Sequence, residues 1–384
     1  MANLFSVPGR ILSGEGALEM SGLYLKTFGK KALIVTDEMM EKLGNLKRVT
    51  DVLEQAGVAY AVYTGVSGEP TDEMIEKGAV QYKADGCDFL IGLGGGSPID
   101  SMKAIGAVVS GGKNIAEYMG GIIDQKLPPT AAIPTTAGTG SEATQFTIIT
   151  DTKNNVKMLL KGPSLLPSLA VIDPVFTATA PQSVTAATGI DALCHAVEAF
   201  TSLKAFPLAD SFAVSAVKRI FRNLKRAYDK GDDMEAREQM ALAALEAGIS
   251  FNNSSVTIVH GMSRPIGALY HVPHGLSNAM LLPECLKFAV SGAEERFCEL
   301  ARETGLYEDG MTVQQGAQVF ISAVCDLCAS LNVQTLAEFG VDKEDFFQNI
   351  SKMADDAIAS GSPANTRRQP TKENIIAIYE ALWK

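Results

Sequence analysis

Positive charge is in the minority in this sequence: 33 lysines and arginines face 44 aspartates and glutamates, for a formal net charge of −11. The basic residues are dispersed along the chain, which argues against a nucleic-acid partner, because a phosphate backbone calls for a basic stripe. Cysteine is sparse as well. The six, at positions 87, 194, 285, 298, 325 and 328, do not resemble a secreted disulfide framework, and a reducing cytoplasm is the expected location. Cys325 and Cys328 form a CxxC inside the helical pattern VFISAVCDLCASL. With no second cysteine pair to close a zinc site, they read as two buried helix residues. The opening MANLFSVPGR has no basic region leading into an apolar run, and the uncharged stretch 174–190 is broken by Pro181. Neither a signal peptide nor a membrane span is therefore expected.

What is present is enough apolar material for sizeable cores: 46% of the 384 residues are hydrophobic and 20% charged. That length exceeds the roughly 250–300 residues at which a single core usually divides, so two domains are expected, 1–180 and 181–384. The first alternates short β-rich runs, at 32–36, 59–63, 89–93, 131–134 and 169–172, with helical patterns near 39–56, 72–84 and 98–110. This is the signature of parallel strands joined by crossover helices, an α/β domain. The stretch QFTIITDTKNNVKMLLKG interrupts it and reads as a hairpin turning at 153–155. Beyond Pro181 the texture changes to long Ala- and Leu-rich segments at helical spacing, including 210–228 and 235–251, which predicts an all-α domain. No flexible linker separates the halves, so a cleft between them is the expected place for chemistry.

In DFLIGLGGGSPIDSMKAIG an apolar strand runs through Gly94, Gly95, Gly96 and Ser97 into a helix opened by Pro98. Three residues without a Cβ let backbone N–H groups approach a pyrophosphate at a helix N-terminus, where the dipole favours anions. Glycines also occur at such turns for steric reasons alone. A second small-residue loop, IPTTAGTGSEAT, offers the hydroxyls of Thr135, Thr136, Thr139 and Ser141, either to the other side of a dinucleotide or as helix caps. Asp37, closing the strand KKALIVTD, would accept hydrogen bonds from an adenosine ribose and repel a 2′-phosphate, favouring NAD over NADP; its alternative role is a helix N-cap.

All four histidines, at 195, 260, 271 and 274, fall in the helical half. In GIDALCHAVEAF, Asp191 and His195 are four apart, so one helix face presents a carboxylate and an imidazole to a single cation. His260 and His274 each precede a glycine and complete a mixed oxygen and nitrogen set suited to Fe²⁺, Zn²⁺ or Mn²⁺ rather than Ca²⁺. Taken singly, each histidine could equally be a satisfied core residue.

The stretches GGGSPID, PTTAGTGSEAT, DPVFTATAPQSVTAATGIDALCHAVEAF, VHGMSRPIGALYHVPHGLSNAMLLP and NTRRQPT together resemble, in order and spacing, the group III iron-containing alcohol dehydrogenases. The resemblance covers essentially the whole chain. It implies an N-terminal dinucleotide-binding α/β domain, a helical metal-binding domain, and Asp191, His195, His260 and His274 as metal ligands. It places Asp37, Gly94, Gly95, Gly96, Ser97, Asp100, Thr135, Thr136, Thr139, Ser141 and Lys157 at the cofactor, and Phe146 and Phe251 along the substrate pocket. It further implies a homodimer or a multiple of one.

The chain departs from the family pattern at HGMSR, where members often carry a further histidine four residues after the third ligand. Here that position is Arg264, which would hold an anionic aldehyde such as sulfoacetaldehyde or succinic semialdehyde, or would pair with a protein carboxylate such as Glu142. His271, where other members commonly have a different residue, is the candidate proton relay. The expected reaction is hydride transfer between NAD(H) and a short-chain primary alcohol or aldehyde bound at a divalent metal, Fe²⁺ first and Zn²⁺ second. The rival classes are the related dehydroquinate synthase and glycerol-1-phosphate dehydrogenase group, and a nucleotide-binding regulator that keeps only the fold.

Overall fold

A computed structural model describes residues 2–154 and 156–383. The chain forms two compact units, one of Ser6–Ala180 and one of Pro181–Lys384 together with the N-terminal stretch through Phe5. In the helical unit the Phe5 ring stacks on Phe212 at 5.7 Å and meets Phe206 edge-on at 6.3 Å.

The α/β unit carries β1 (Ile11–Ser13), β2 (Lys31–Val35), β3 (Ala59–Tyr63), β4 (Phe89–Gly94), β5 (Thr130–Pro134) and β8 (Leu169–Ile172) in one sheet, ordered β1-β8-β5-β4-β2-β3 and parallel throughout. The period of two divides each strand between two cores. Leu33 and Val35 pack with Ile75, Met102 and Ile105 on one face, while Ala32 and Ile34 pack with Leu25, Val49 and Leu53 on the other. The helices are α1 (Ala17–Leu25) and α3 (Asn45–Gln55) on the second face and α4 (Asp72–Ala84) and α5 (Gly96–Gly111) on the first, with a short α2 (Glu38–Lys42) after β2.

The single helix expected over 39–56 is thus two. Gly44 adopts φ 75°, a left-handed conformation that ends one helix and begins the next. β1 carries too short an apolar run to be read from sequence. The hairpin forms as β6 (Phe146–Asp151) paired antiparallel with β7 (Val156–Lys161); of its expected turn at 153–155, Asn155 lies outside the described residues.

The second unit is built on α6 (Gln182–Thr201), every residue of which is buried from Gly189 to Thr201. A helix apolar on all sides belongs at the centre of a bundle. Around it lie α7 (Pro207–Asp229), α8 (Met234–Ser254), α9 (Ile258–Tyr270) and α10 (His274–Ala289), with α11 (Glu294–Thr304) and α12 (Val313–Ser330) packed outside α7 and α10. Gly275 lets α10 start close against α6, since a Cβ there would stand 3.0 Å from the Ala187 carbonyl oxygen. Lys218, Arg219, Lys225 and Arg226 all lie on α7, but each is ion-paired with an acidic neighbour. Among the described residues no helix is long and apolar enough to cross a membrane.

Candidate active site

Helix α6 positions Asp191, His195 and Glu198, one helical turn apart along its buried length. Three polar side chains inside an apolar helix are costly to bury unless each finds partners. Asp191 and His195 meet His260 from the first turn of α9 and His274 from the first residue of α10. One donor atom from each of the four lies within 4.8 Å of all the others. His260 Nε2 and His274 Nε2 stand 3.7 and 3.9 Å from Asp191 Oδ1. The His195 ring is sandwiched, stacked on Phe251 at 4.2 Å and on His260 at 4.4 Å, so its plane is fixed by packing. Burial alone would raise the Asp191 carboxyl, but the imidazoles of His195, His274 and His260 and the Asn278 amide hold it below its ordinary value.

Two further side chains complete the arrangement. The Asn278 amide nitrogen donates to Asp191 Oδ1 at 2.7 Å and lies 3.1 Å from both His260 Nε2 and His274 Nε2. Its Oδ1 is buried with no hydrogen-bond partner among the described residues. Glu198 accepts from the Thr257 hydroxyl and the Val259 N–H, both at 2.7 Å, and pairs with His260 Nδ1. One carboxylate, three imidazoles and a converging buried amide fit a divalent first-row metal, and the absence of a thiolate or of further oxygens argues against Cu⁺ and Ca²⁺.

In the α/β unit the expected loops come together at the carboxyl ends of β2, β4 and β5, where open parallel sheets bind ligands. Gly94 pairs with Pro134, and the Thr135 N–H donates to the Gly94 carbonyl. Gly94 has φ 147°, and a Cβ there would strike Pro98 Cγ at 2.5 Å. Gly95 caps α5 without a side chain, so the first N–H groups of that helix have no capping side chain, and a Cβ at Gly95 or Gly96 would stand 3.6 Å from Thr136 or 3.1 Å from Thr139.

Several of the other polar residues are engaged by the fold. Asp37 caps α2, accepting from Met40 N at 3.0 Å. Asp100 accepts from the Ser141 hydroxyl and the Ile148 N–H, both at 2.9 Å, and so joins the threonine loop to the hairpin. Thr139 Oγ1 accepts from the Ser141 N–H, and Lys157 pairs with Glu69 at 2.7 Å on the hairpin. Ser97, Thr135 and Thr136 keep hydroxyls that take no partner among the described residues.

Comparison with known proteins decides the family. Residues 8–174 match the model for iron-containing alcohol dehydrogenase, and 185–383 that for the C-terminal part of the Fe-containing alcohol dehydrogenase family. The 1,3-propanediol dehydrogenase of Citrobacter freundii is 36% identical over 98% of this chain and 97% of its own. The lactaldehyde reductase of Escherichia coli (strain K12) is 35% identical over 100% of each. A crystal structure of 1,3-propanediol oxidoreductase superposes with a TM-score of 0.96 at 34% identity, covering 100% of both chains. The chain belongs to the iron-containing alcohol dehydrogenase family. It is accordingly an oxidoreductase of the alcohol and aldehyde class, not a regulator that has kept only the fold.

Within this alcohol dehydrogenase, Arg264 lies on α9 and His271 at the C-terminal end of that helix. The Arg264 guanidinium, mostly withdrawn from solvent, lies 3.4 Å from the Ser360 carbonyl. Burial lowers its pKa, and the field of Glu198 opposes that shift. Within the α/β unit, Lys103 acts electrostatically on Glu142. His271 is exposed and closes α9 in a left-handed conformation, φ 55°, outside the four-residue cluster. Phe251 joins that cluster through His195, while Phe146 opens β6, its carbonyl bound by Lys103. Reasoning from sequence missed Glu198 and Asn278. The signal for Glu198 was available: an acidic residue in the Ala-rich GIDALCHAVEAF, three positions after His195 and seven after Asp191. Asn278 follows His274 by four, the same spacing that flagged Asp191 and His195.

Proposed function

We propose that Asp191, His195, His260 and His274 hold a divalent metal, Fe²⁺ in preference to Zn²⁺, and that the enzyme transfers hydride between NAD(H) and a short-chain primary alcohol or aldehyde. The observation that carries this reading is the convergence of four donor atoms within 4.8 Å, three of the four side chains being buried. Bound there, such a metal supplies Lewis acidity toward a carbonyl or alcohol oxygen. The chain's own residues do the rest. The Glu198 carboxylate orients His260, the Phe251 ring fixes His195 and offers an apolar wall to the substrate carbons, and Asn278 steadies the Asp191 carboxylate. On the cofactor side, the free N–H groups at the start of α5 and the hydroxyls of Ser97, Thr135 and Thr136 suit a pyrophosphate. The second carboxylate oxygen of Asp37, left over from its helix cap, suits a ribose diol and favours NAD over NADP.

Lys157, Asp100, Thr139 and Ser141 support this arrangement by holding the hairpin and threonine loop in place. With Arg264 turned to a backbone carbonyl, the substrate we favour is an uncharged short-chain aldehyde. His271, exposed, remains a candidate proton carrier toward water. Six free thiols suit a cytoplasmic enzyme, and a homodimer or a multiple of one is the assembly we expect. The test is an anaerobic aldehyde panel with NADH and NADPH on protein reconstituted separately with Fe²⁺ and Zn²⁺. Turnover that needs no metal in any combination would overturn the reading.

A further inference from the structure

We infer that Glu198 is a positioning residue for metal binding: by accepting the Nδ1 proton of His260 it fixes the tautomer that presents a bare Nε2 to Asp191, His195 and His274. The inference rests on the metal reading above. Both Glu198 oxygens are committed. Oε1 takes the Thr257 hydroxyl and the Val259 N–H, and Oε2 faces His260 Nδ1. Glu198 is therefore not a fifth ligand.

Val259 is the second residue of α9, and its N–H is one of the donors that a helix start leaves without an internal partner. That donor, which cannot reverse its role, dictates that Oε1 be an acceptor. A carboxylate is an acceptor at its other end too, so Nδ1 must carry the hydrogen and Nε2 the lone pair. His260 Nε2 points to the shared cluster, 3.7 Å from Asp191 Oδ1 and 3.1 Å from the Asn278 amide. The competing view is that Glu198 only caps α9 from the neighbouring helix.

Glu198→Gln separates the two roles. The amide oxygen must still serve the Val259 N–H, so the NH₂ end faces His260 and drives its proton onto Nε2, into the cluster. Metal affinity, read by competition with a chromophoric chelator, should fall about 10- to 100-fold, and the visible bands of the Co²⁺-loaded protein should shift. Thr257→Val removes a helix-start contact without touching His260, and should lower the melting temperature while leaving the Co²⁺ spectrum intact. Wild-type affinity and spectrum in a folded Glu198→Gln variant would overturn the inference and leave Glu198 as a cap. If that variant does not fold, ¹⁵N-histidine NMR of the Zn²⁺-loaded wild type decides. Protonated Nδ1 on His260 supports the assignment, and protonated Nε2 refutes it. A wild type that takes up no metal would instead defeat the metal reading, and this inference with it.

Discussion

The two functional regions of this enzyme use polar side chains in opposite ways. In the helical unit, Asp191, His195, His260 and His274 turn their donor atoms toward one another, and Glu198 and Asn278 behind them absorb the structural duties. In the α/β unit the polar side chains themselves absorb those duties: Asp37 caps a helix, Asp100 and Ser141 bind each other, and Lys157 pairs with Glu69. What that unit offers a ligand is mostly backbone, the N–H groups at the start of α5. Under the proposed function, the difference follows from what each region would bind. A small cation needs several side-chain donors aimed at one point, whereas a pyrophosphate is met by amides that any glycine-rich turn can supply.

The contrast predicts that single side-chain deletions act most severely in the helical unit. Asp191→Ala and His274→Ala should each lose bound metal and at least about 100-fold in kcat/KM, more than the loss typical of residues behind the ligands. Both should stay folded, because neither removes much apolar packing. Metal analysis, circular dichroism and steady-state rates on the same samples check this, and full metal content with wild-type turnover would dissolve the site.

The same contrast explains what could be read from sequence. Asp191 and His195 were legible because four-residue spacing on a helix is a geometric statement, and the histidines because a scarce residue is concentrated in one half. The parallel sheet was legible in its short β-rich runs alternating with helical patterns and in the turns after β4 and β5. The partners were not. That Glu198 reaches His260, 62 residues on, or that Asp100 holds Ser141, 41 residues on, depends on tertiary packing that no local pattern encodes. Arg264 shows the same limit: its place in sequence left open a substrate contact or a structural ion pair, and its 3.4 Å contact to the Ser360 carbonyl, 96 residues on, is one that no local pattern encodes.

For the α/β unit the comparison sharpens at Asp37. Replacing it by alanine would confuse two effects, since Asp37 also caps α2, and losing a cap to alanine costs about 1 kcal/mol. Asp37→Ser keeps a capping oxygen and removes the charge. It should lower the NADH over NADPH preference in kcat/KM by about tenfold, equivalent to about 1.4 kcal/mol, with little change in melting temperature. An unchanged preference would confine Asp37 to capping. A smaller effect is expected at Arg264, where Arg264→Ala should reduce kcat/KM on propanal and on sulfoacetaldehyde alike, within about threefold of each other. A selective loss of about 30-fold or more on the anionic aldehyde, about 2 kcal/mol, would restore a direct substrate contact.

The smallest effect belongs to a charged group that the α/β unit buries behind its hairpin. Lys103 donates to the Thr144 carbonyl and hydroxyl and to the Phe146 carbonyl, each at 2.9 Å, and burial lowers it to about 8 against the pull of Asp100 and Glu142. Burial raises Glu142 to about 7, opposed by its own backbone N–H and by Lys103. An unfolded chain releases the Glu142 proton near 4.5. Between that pH and about 7 the folded protein therefore holds a proton that the unfolded chain has given up, and stability falls as pH rises through this window. Lys103 acts in a separate window: its lowered value makes stability rise between about 8 and 10.5, so measurements at pH 7.5 and below largely exclude it. Glu142→Gln keeps the shape and removes the titration. Relative to wild type, its melting temperature should be higher at pH 7.5 than at pH 5, by about 2–4 °C for each kcal/mol that the titration removes in a domain of this size. A variant less stable than wild type at pH 7.5 would show that Glu142 is held as the ionised partner of Lys103.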